Sequence, residues 1–140
     1  MTGGAPGQNP HPGAGTRSLV GIGIDAVDID RFAAVLARRP AMAERLFSSG
    51  ERAWAADLAN PSPSLAARFA AKEAVMKALG VGVGAFAFHE VEVRRLSSGQ
   101  PELALSGRAA TLAAARGVGQ WQVSLTHTHT VASAVVAALG

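Results

Sequence analysis

The feature that most restricts the possible folds is a short segment in which glycine replaces every second side chain. Residues 19–25 read LVGIGID, so branched aliphatic side chains alternate with Gly21, Gly23 and Asp25. A period of two predicts a β-strand with one apolar face and one nearly bare face. The two glycines allow another segment to approach the bare face closely. The fold must therefore contain a sheet, and Asp25 lies at the end of the face that can be approached.

Three later segments have the periodicity and the end signals of helices. The clearest one is followed by Gly80, at the position where a left-handed residue commonly ends a helix. Asp28 is a good N-cap for a second helix, and Ser48 and Glu51 have the capping-box spacing for a short third one. The predicted helices cover 65–79, 28–39 and 48–58.

The rest of the chain adds two pairs of strands and one more helix. We predict strands over 89–96, 102–106, 120–126 and 131–138, and a helix over 107–116. Strands and helices in this order are typical of an α+β fold, with an antiparallel sheet packed against helices, rather than a doubly wound parallel sheet.

Composition indicates one globular domain. Of the 140 residues, 49% are hydrophobic and 16% are charged, which excludes a wholly disordered chain. We expect a disordered Gly- and Pro-rich tail over 1–17 in front of a single domain over 18–140. The chain has no Cys, which excludes disulfide scaffolds and Cys nucleophiles and is compatible with a cytoplasmic location. Residues 117–140 lack charge, but their polar middle would be unsatisfied in hydrocarbon, so we expect no membrane span.

Several charged residues are candidates for chemistry, and each also has an ordinary structural role. Asp25 could simply end a strand, and Glu73 and Lys77 could form an exposed ion pair one helical turn apart. Arg68 and Lys72 are also one turn apart, and this repelling pair is easier to understand if an anion lies between them. The chain has eleven arginines but only two lysines, and both lysines fall in the helix predicted over 65–79. This distribution indicates that compact ammonium groups are required at these two positions.

The histidines near the C-terminus leave more than one role open. His127 and His129 flank one residue after a predicted strand, so both rings could lie on one side and bind a metal. We favour phosphate binding or proton transfer for His127 and a loop position for His129. His89 begins a predicted strand, and we interpret it as structural.

Three segments, GIGIDAVDIDRF at 21–32, ARFAAKEAVMKALG at 67–80 and VSLTHTHTVASAVV at 123–136, together resemble the signature blocks of holo-acyl-carrier-protein synthase. This family is the small bacterial class of 4'-phosphopantetheinyl transferase, and the resemblance covers about 19–139. It implies the 4'-phosphopantetheinyl transferase fold and a homotrimer with sites between subunits. It also implies transfer of 4'-phosphopantetheine from coenzyme A to a serine of apo acyl carrier protein, which releases adenosine 3',5'-bisphosphate and supports fatty acid biosynthesis.

The same resemblance implies the catalytic and metal-binding residues. Asp25 and Glu73 match the positions that ligate Mg²⁺, and Lys77 matches the lysine beside the phosphates. Magnesium suits one or two carboxylates together with phosphate oxygens, which agrees with a diphosphate substrate. The proton of the attacking serine requires a base, and either Glu73 or a water that the metal holds could take it.

The remaining implied roles concern binding of the two substrates. Arg68, Lys72 and His127 match positions that contact coenzyme A, and Arg31 matches the arginine that docks the acidic carrier protein. The last block departs from the usual pattern because Thr126 replaces serine and His129 is unusual. Thr126 keeps the hydroxyl, whereas the role of His129 stays open.

Three other functions are alternatives to 4'-phosphopantetheine transfer. A nucleic-acid-binding domain would agree with the net charge of +3, but the few aromatic residues fall mostly on apolar stripes, so we expect no nucleic-acid partner. A trimer that has lost activity is not favoured, because all the candidate polar groups are present. A broad-specificity transferase acting on larger synthases is disfavoured by the short chain, because the resemblance makes those relatives about twice as long.

Overall fold

The computed structural model describes residues 16–140. The predicted tail over 1–17 therefore lies outside the described residues except for its last two positions. The helices are α1 (Ile29–Arg38), α2 (Met42–Leu46), α3 (Ser49–Ala56), α4 (Ser62–Leu79) and α5 (Gly107–Ala115). The strands are β1 (Leu19–Asp28), β2 (Val91–Arg95), β3 (Pro101–Leu105), β4 (Gln120–His127) and β5 (Val131–Leu139), and a single 3₁₀ turn lies at Phe88–Glu90.

The strands form two antiparallel sheets. One sheet has three strands in the order β1-β5-β4, and the other is the β2–β3 hairpin. In the larger sheet, Ala134 of β5 pairs with Asp25 on one side and with Leu125 on the other. The predicted α+β fold with antiparallel strands is confirmed, although its strands are divided between two sheets.

Helix α4 packs directly on the bare face of β1. A Cβ atom at Gly21 would overlap the carbonyl group of Ala78, and one at Gly23 would overlap the carbonyl group of Ala74. Only glycine allows the two backbones to come this close. The predicted close approach to this face is confirmed, and the segment that approaches is the helix that carries Glu73.

Local end signals act as expected. The side chain of Asp28 accepts a hydrogen bond from the backbone N–H of Arg31, and Ser48 and Glu51 form the reciprocal capping box of α3. Gly80 ends α4 in the left-handed region, with φ of 71°. These short-range interactions depend on residues three or four apart, which explains why the sequence alone reveals them.

Several element boundaries differ from the predicted ones. Helix α4 begins at Ser62, three residues before the predicted start at Leu65, because Pro63 in the first turn needs no acceptor for its nitrogen. Helix α3 ends at Ala56 instead of Leu58, and the five-residue α2 was not predicted. His89 lies in the 3₁₀ turn that precedes β2 and not within a strand.

The core lies on both sides of α4. Ala70, Ala74 and Val75 of this helix are fully buried, and so is Val136 of β5. Small residues dominate because the helix lies so close to the sheet. Within residues 16–140, no helix is both long enough and apolar enough to cross a lipid bilayer.

Candidate functional site

Strand β1 and helix α4 bring together an acidic pair and a lysine. Lys77 Nζ donates to the backbone carbonyl of Ile24 at 2.9 Å and to Asp25 Oδ1 at 3.2 Å. Glu73, one helical turn before Lys77, lies close enough to Asp25 for the two carboxyl groups to interact. Of the residues predicted from the sequence, Asp25, Glu73 and Lys77 thus form one cluster. The side chain of Lys77 is 56% exposed, so its ammonium group is free to move toward a ligand.

The two carboxyl groups are poorly compensated by the protein. Burial raises the pKa of Glu73 to about 7, and the neighbouring carboxyl group of Asp25 adds to this shift, whereas Lys77 opposes it. Asp25 Oδ2 is buried and has no hydrogen-bond partner. A buried carboxylate oxygen without a partner and a neighbouring carboxyl group with a raised pKa indicate the same thing: this site lacks positive charge.

The donor set of this cluster suits a hard divalent cation that also binds a ligand. Across the described residues, no group of three or more His, Asp or Glu side chains could hold a metal by themselves. Magnesium commonly binds one or two carboxylates and takes its other oxygens from water and substrate phosphates. Asp25 and Glu73 therefore fit Mg²⁺ together with a phosphate ligand, and Asp25 Oδ2 is the oxygen that such an ion would satisfy.

His127 lies at the end of β4, on the same face of the sheet as Asp25. It pairs with Ala132, which in turn pairs with Val27 of β1. Two strand spacings separate the histidine from β1, which places it roughly 10 Å across the sheet. Its ring is exposed, and Nδ1 lies 3.1 Å from the carbonyl oxygen of Thr128. His129 follows in the exposed turn between β4 and β5.

Arg68 and Lys72 point away from the acidic cluster. Helix α4 turns by about 100° per residue, so Arg68, nine positions before Lys77, lies on the opposite side of the helix. Lys72 is completely buried, and its Nζ donates to Glu51 Oε1 at 2.7 Å and to the backbone carbonyl groups of Phe88 and Val91. Arg68 and Lys72 therefore lie on a different side of α4 from Asp25, and their contact with coenzyme A stays a prediction from the resemblance.

Sequence reasoning missed Glu51 as the ion-pair partner of Lys72, and the charge of Glu51 also acts on Arg68. The repelling spacing of Arg68 and Lys72 does indicate an anion, but that anion is the buried carboxylate of α3. Glu51 also accepts hydrogen bonds from the backbone N–H groups of Ser48 and Val93, both at 3.0 Å. The capping-box pattern identified Glu51 only as a helix cap, and no pattern in the sequence links it to Lys72.

Arg31 lies on α1 at the edge of an apolar pocket of about 330 Å³. Phe32 and Val35 of the same helix line it, together with Met42 of α2 and Phe69 of α4. The arginine is exposed. This combination of an apolar cavity and a cationic rim suits an amphipathic and acidic protein segment.

Comparisons with known proteins identify relatives that match almost the whole domain. The family model of the 4'-phosphopantetheinyl transferase superfamily matches residues 21–136. A holo-acyl-carrier-protein synthase from Frankia casuarinae is 50% identical over 121 residues, which cover 86% of this chain and 98% of that protein. One from Streptomyces griseus is 48% identical and covers 87% of this chain and 99% of its own length.

Solved structures show the same relationship. A holo-acyl-carrier-protein synthase from Bacillus anthracis, in complex with coenzyme A (3',5'-ADP), is 32% identical and superposes with a TM-score of 0.74. That match covers 87% of this chain and 97% of the other. The enzyme from Neisseria meningitidis is 28% identical with a TM-score of 0.80, over 86% of this chain and 98% of its own.

Proposed function

The chain belongs to the 4'-phosphopantetheinyl transferase superfamily, and we propose from this that it works as a holo-acyl-carrier-protein synthase. It transfers 4'-phosphopantetheine from coenzyme A to a serine of an apo acyl carrier protein. The observation that carries the proposal is the cluster of Asp25, Glu73 and Lys77, in which a buried carboxylate oxygen lacks a partner. Fatty acid biosynthesis as the pathway and the cytoplasm as the location follow from the resemblance and stay predictions.

Each residue of the cluster has a separate role in the proposed reaction. The serine oxygen of the carrier protein attacks the phosphorus attached to pantetheine, and the bond from that phosphorus to the bisphosphate oxygen breaks. The serine proton needs an acceptor at this point, and Glu73, beside Asp25 and one helical turn from Lys77, is the candidate base among the residues of the cluster. Lys77 can turn from Asp25 toward the diphosphate and stabilise the charge that develops on the leaving group.

Asp25 and Glu73 would hold Mg²⁺, which supplies positive charge at the diphosphate when it is bound. Among the residues that the structure describes, Lys77 is the cation that acts on these two carboxyl groups, and Asp25 Oδ2 still lacks a partner. The coenzyme also needs groups away from the reacting phosphorus. His127 is positioned for this role, because it is exposed on the same sheet face at a distance similar to the length of a nucleotide.

Docking of the carrier protein is assigned to α1. Arg31 supplies positive charge for an acidic partner, and the apolar pocket beside it can accept an aliphatic side chain of that partner. The assignment of Arg68 to coenzyme A stays a prediction from the resemblance. For Lys72, the buried ion pair with Glu51 supports a structural role instead.

A homotrimer is the proposed assembly, and an open apolar sheet face supports association. Ile22 and Ile24 are 61% and 66% exposed, and Val135, which pairs with Ile24, is 39% exposed. Aligned aliphatic side chains on a sheet face are typical of an interaction surface, while the count of three copies comes from the resemblance. Ile24→Asp is expected to convert the oligomer to monomers in analytical ultracentrifugation. Val83→Asp, at an exposed valine outside the sheet, is the matched control.

Intact-mass spectrometry of the carrier protein tests the proposed reaction. The protein is mixed with coenzyme A, Mg²⁺ and an apo acyl carrier protein, and the carrier should gain the mass of phosphopantetheine. Addition of a chelator should abolish the gain, and so should Asp25→Ala. Asp57→Ala, which removes an exposed carboxylate at the end of α3, should leave the gain unchanged. Transfer by Asp25→Ala at the rate of the unsubstituted protein would contradict the assignment.

A further inference from the structure

Lys77 contacts the same carboxyl group that is assigned above to Mg²⁺. Its Nζ donates to Asp25 Oδ1 at 3.2 Å and to the backbone carbonyl oxygen of Ile24 at 2.9 Å. Both acceptors belong to β1, which is an edge strand of the three-stranded sheet. The ammonium group is therefore anchored at two points of this strand, and one of them is a proposed metal ligand.

The two partners of this ion pair differ in their freedom to move. The side chain of Lys77 is 56% exposed, whereas that of Asp25 is 16% exposed. Asp25 closely follows Gly23, whose backbone lies directly against the carbonyl group of Ala74 in α4. A lysine has a flexible four-carbon stem, so when the pair separates the lysine moves and the aspartate stays.

Lys77 and a metal at Asp25 would repel each other. The second oxygen, Oδ2, is buried without a partner and is the one available to Mg²⁺. A magnesium ion at about 2.1 Å from Oδ2 would lie within about 8 Å of Nζ, a range over which salt screens charges only partly. Asp25 and Glu73 do not carry enough negative charge to balance both Mg²⁺ and the ammonium group. Binding of the metal alone therefore works against Lys77.

A diphosphate changes this balance. Among residues 16–140, no group of three or more His, Asp or Glu side chains could complete the coordination of a metal. The remaining oxygens must come from water and from the ligand, and phosphate oxygens are the usual source for Mg²⁺. The same ligand offers Lys77 another anion, to which its ammonium group can donate charge-assisted hydrogen bonds.

We propose that Lys77 opposes binding of Mg²⁺ to this cluster until a diphosphate is present, so that the metal and the coenzyme bind together and the metal does not bind first. The inference rests on the proposed function, since it takes Asp25 and Glu73 as the metal-binding pair. Contact with Lys77 weakens binding of the metal alone. A diphosphate draws the ammonium group away and frees both oxygens of Asp25. Lys77 is thereby a positioning residue for the metal as well as a group that acts on the leaving phosphate.

Isothermal titration calorimetry of Mg²⁺ into the full chain, without coenzyme and at constant ionic strength, tests the proposal. Lys77→Met removes the charge and keeps the aliphatic stem, so the Kd for Mg²⁺ should fall about tenfold. Lys77→Arg keeps the charge and should bind Mg²⁺ no more tightly than the unsubstituted protein. Arg39→Met removes a positive charge from an exposed position at the end of α1 and should change the Kd less than about twofold.

Coenzyme A titrated with and without Mg²⁺ gives a second measurement. The factor by which Mg²⁺ improves the affinity for coenzyme A equals the factor by which coenzyme A improves that for Mg²⁺. This factor should be several times smaller in Lys77→Met than in the unsubstituted protein, because Lys77→Met already binds the metal alone. Equal factors in the two proteins would contradict the proposal.

Three titration results would overturn it: no gain in Mg²⁺ affinity in Lys77→Met, an equal gain in Arg39→Met, or no measurable Mg²⁺ binding to either Lys77→Met or the unsubstituted protein. Lys77→Gln repeats the test if the methionine variant aggregates. Asp25→Asn in the Lys77→Met background should abolish the gained binding, and binding that persists would overturn both this inference and the metal assignment. No gain in Lys77→Met, together with loss of transfer in Asp25→Ala, would overturn this inference alone and leave the proposed function in place.

Discussion

Replacing Lys72 by methionine should cost more stability than any exposed substitution in this protein. The side chains of Lys72 and Glu51 are both 0% exposed, so the variant leaves a buried carboxylate without its cation. Breaking a buried ion pair on one side costs about 3–5 kcal/mol. Glu51 keeps its backbone donors at Ser48 and Val93, so we expect a loss near the lower limit, about 3 kcal/mol.

Urea unfolding at one fixed protein concentration measures this loss. The double variant Lys72→Met with Glu51→Gln removes both charges and keeps the shape of the site. Glutamine can also take the place of glutamate in a capping box. We therefore expect the double variant to recover most of the stability, to within about 1.5 kcal/mol of the unsubstituted protein. A loss below about 1 kcal/mol in the single variant would refute the reasoning, and so would equal losses in the single and double variants.

The double variant also separates the structural role of Lys72 from the binding role that the resemblance implies. If the ammonium group only pairs with Glu51, the KM for coenzyme A should stay within about twofold once stability is restored. A rise of tenfold or more, with normal stability, would show that Lys72 contacts the coenzyme and that the buried arrangement changes when it binds. A tenfold rise corresponds to about 1.4 kcal/mol of binding free energy.

Three further predictions concern the site and its supports. The folded protein holds a proton on Glu73 that the unfolded chain has lost between about pH 4.5 and 7, so without metal the free energy of unfolding should fall as pH rises through this window. Because Glu73 is only partly buried, solvent screening should limit the fall to about 1–2 kcal/mol. Urea titrations should show no such fall in Glu73→Gln, and equal slopes in the two proteins would contradict the shift. Gly23→Ala should lower both the melting temperature and the transfer rate, because its Cβ overlaps α4, whereas Gly82→Ala, where the space is open, should change neither. Arg31→Glu should raise the KM for the carrier protein about tenfold, or about 1.4 kcal/mol, and leave that for coenzyme A unchanged in steady-state assays; equal increases in both would refute the docking role.

The parts of the fold that were predictable are those that depend on near neighbours in the sequence. The cap at Asp28, the capping box at Ser48 and the left-handed residue at Gly80 involve side chains and backbone groups within one turn. Helix α2 was missed because its five residues carry no capping side chain. Its formation depends on packing of Leu46 in the core, which a local pattern does not reveal.

The candidate site residues could be named from the sequence only through the resemblance to a known family. Nothing local joins Asp25 to Glu73, which are brought together by the contact of β1 with α4. The pairing of Lys72 with Glu51 spans 21 residues and depends on the position of β2 as well. The spacing of Arg68 and Lys72 correctly indicated an anion, but a helix pattern does not distinguish a ligand from a side chain of the protein itself.

The backbone contact between β1 and α4 makes the acidic pair a rigid reference point for catalysis. The carbonyl groups of Ala74 and Ala78 lie against Gly23 and Gly21, so no side chain between the two elements can repack to change their spacing. We therefore expect the backbone of β1 at Asp25 to keep its spacing from α4 when ligands bind. Adaptation to two substrates of different size must come from groups that can move, such as the exposed ammonium group of Lys77. The relative position of the backbones that carry Asp25 and Glu73 is thus set by the fold, before either substrate binds.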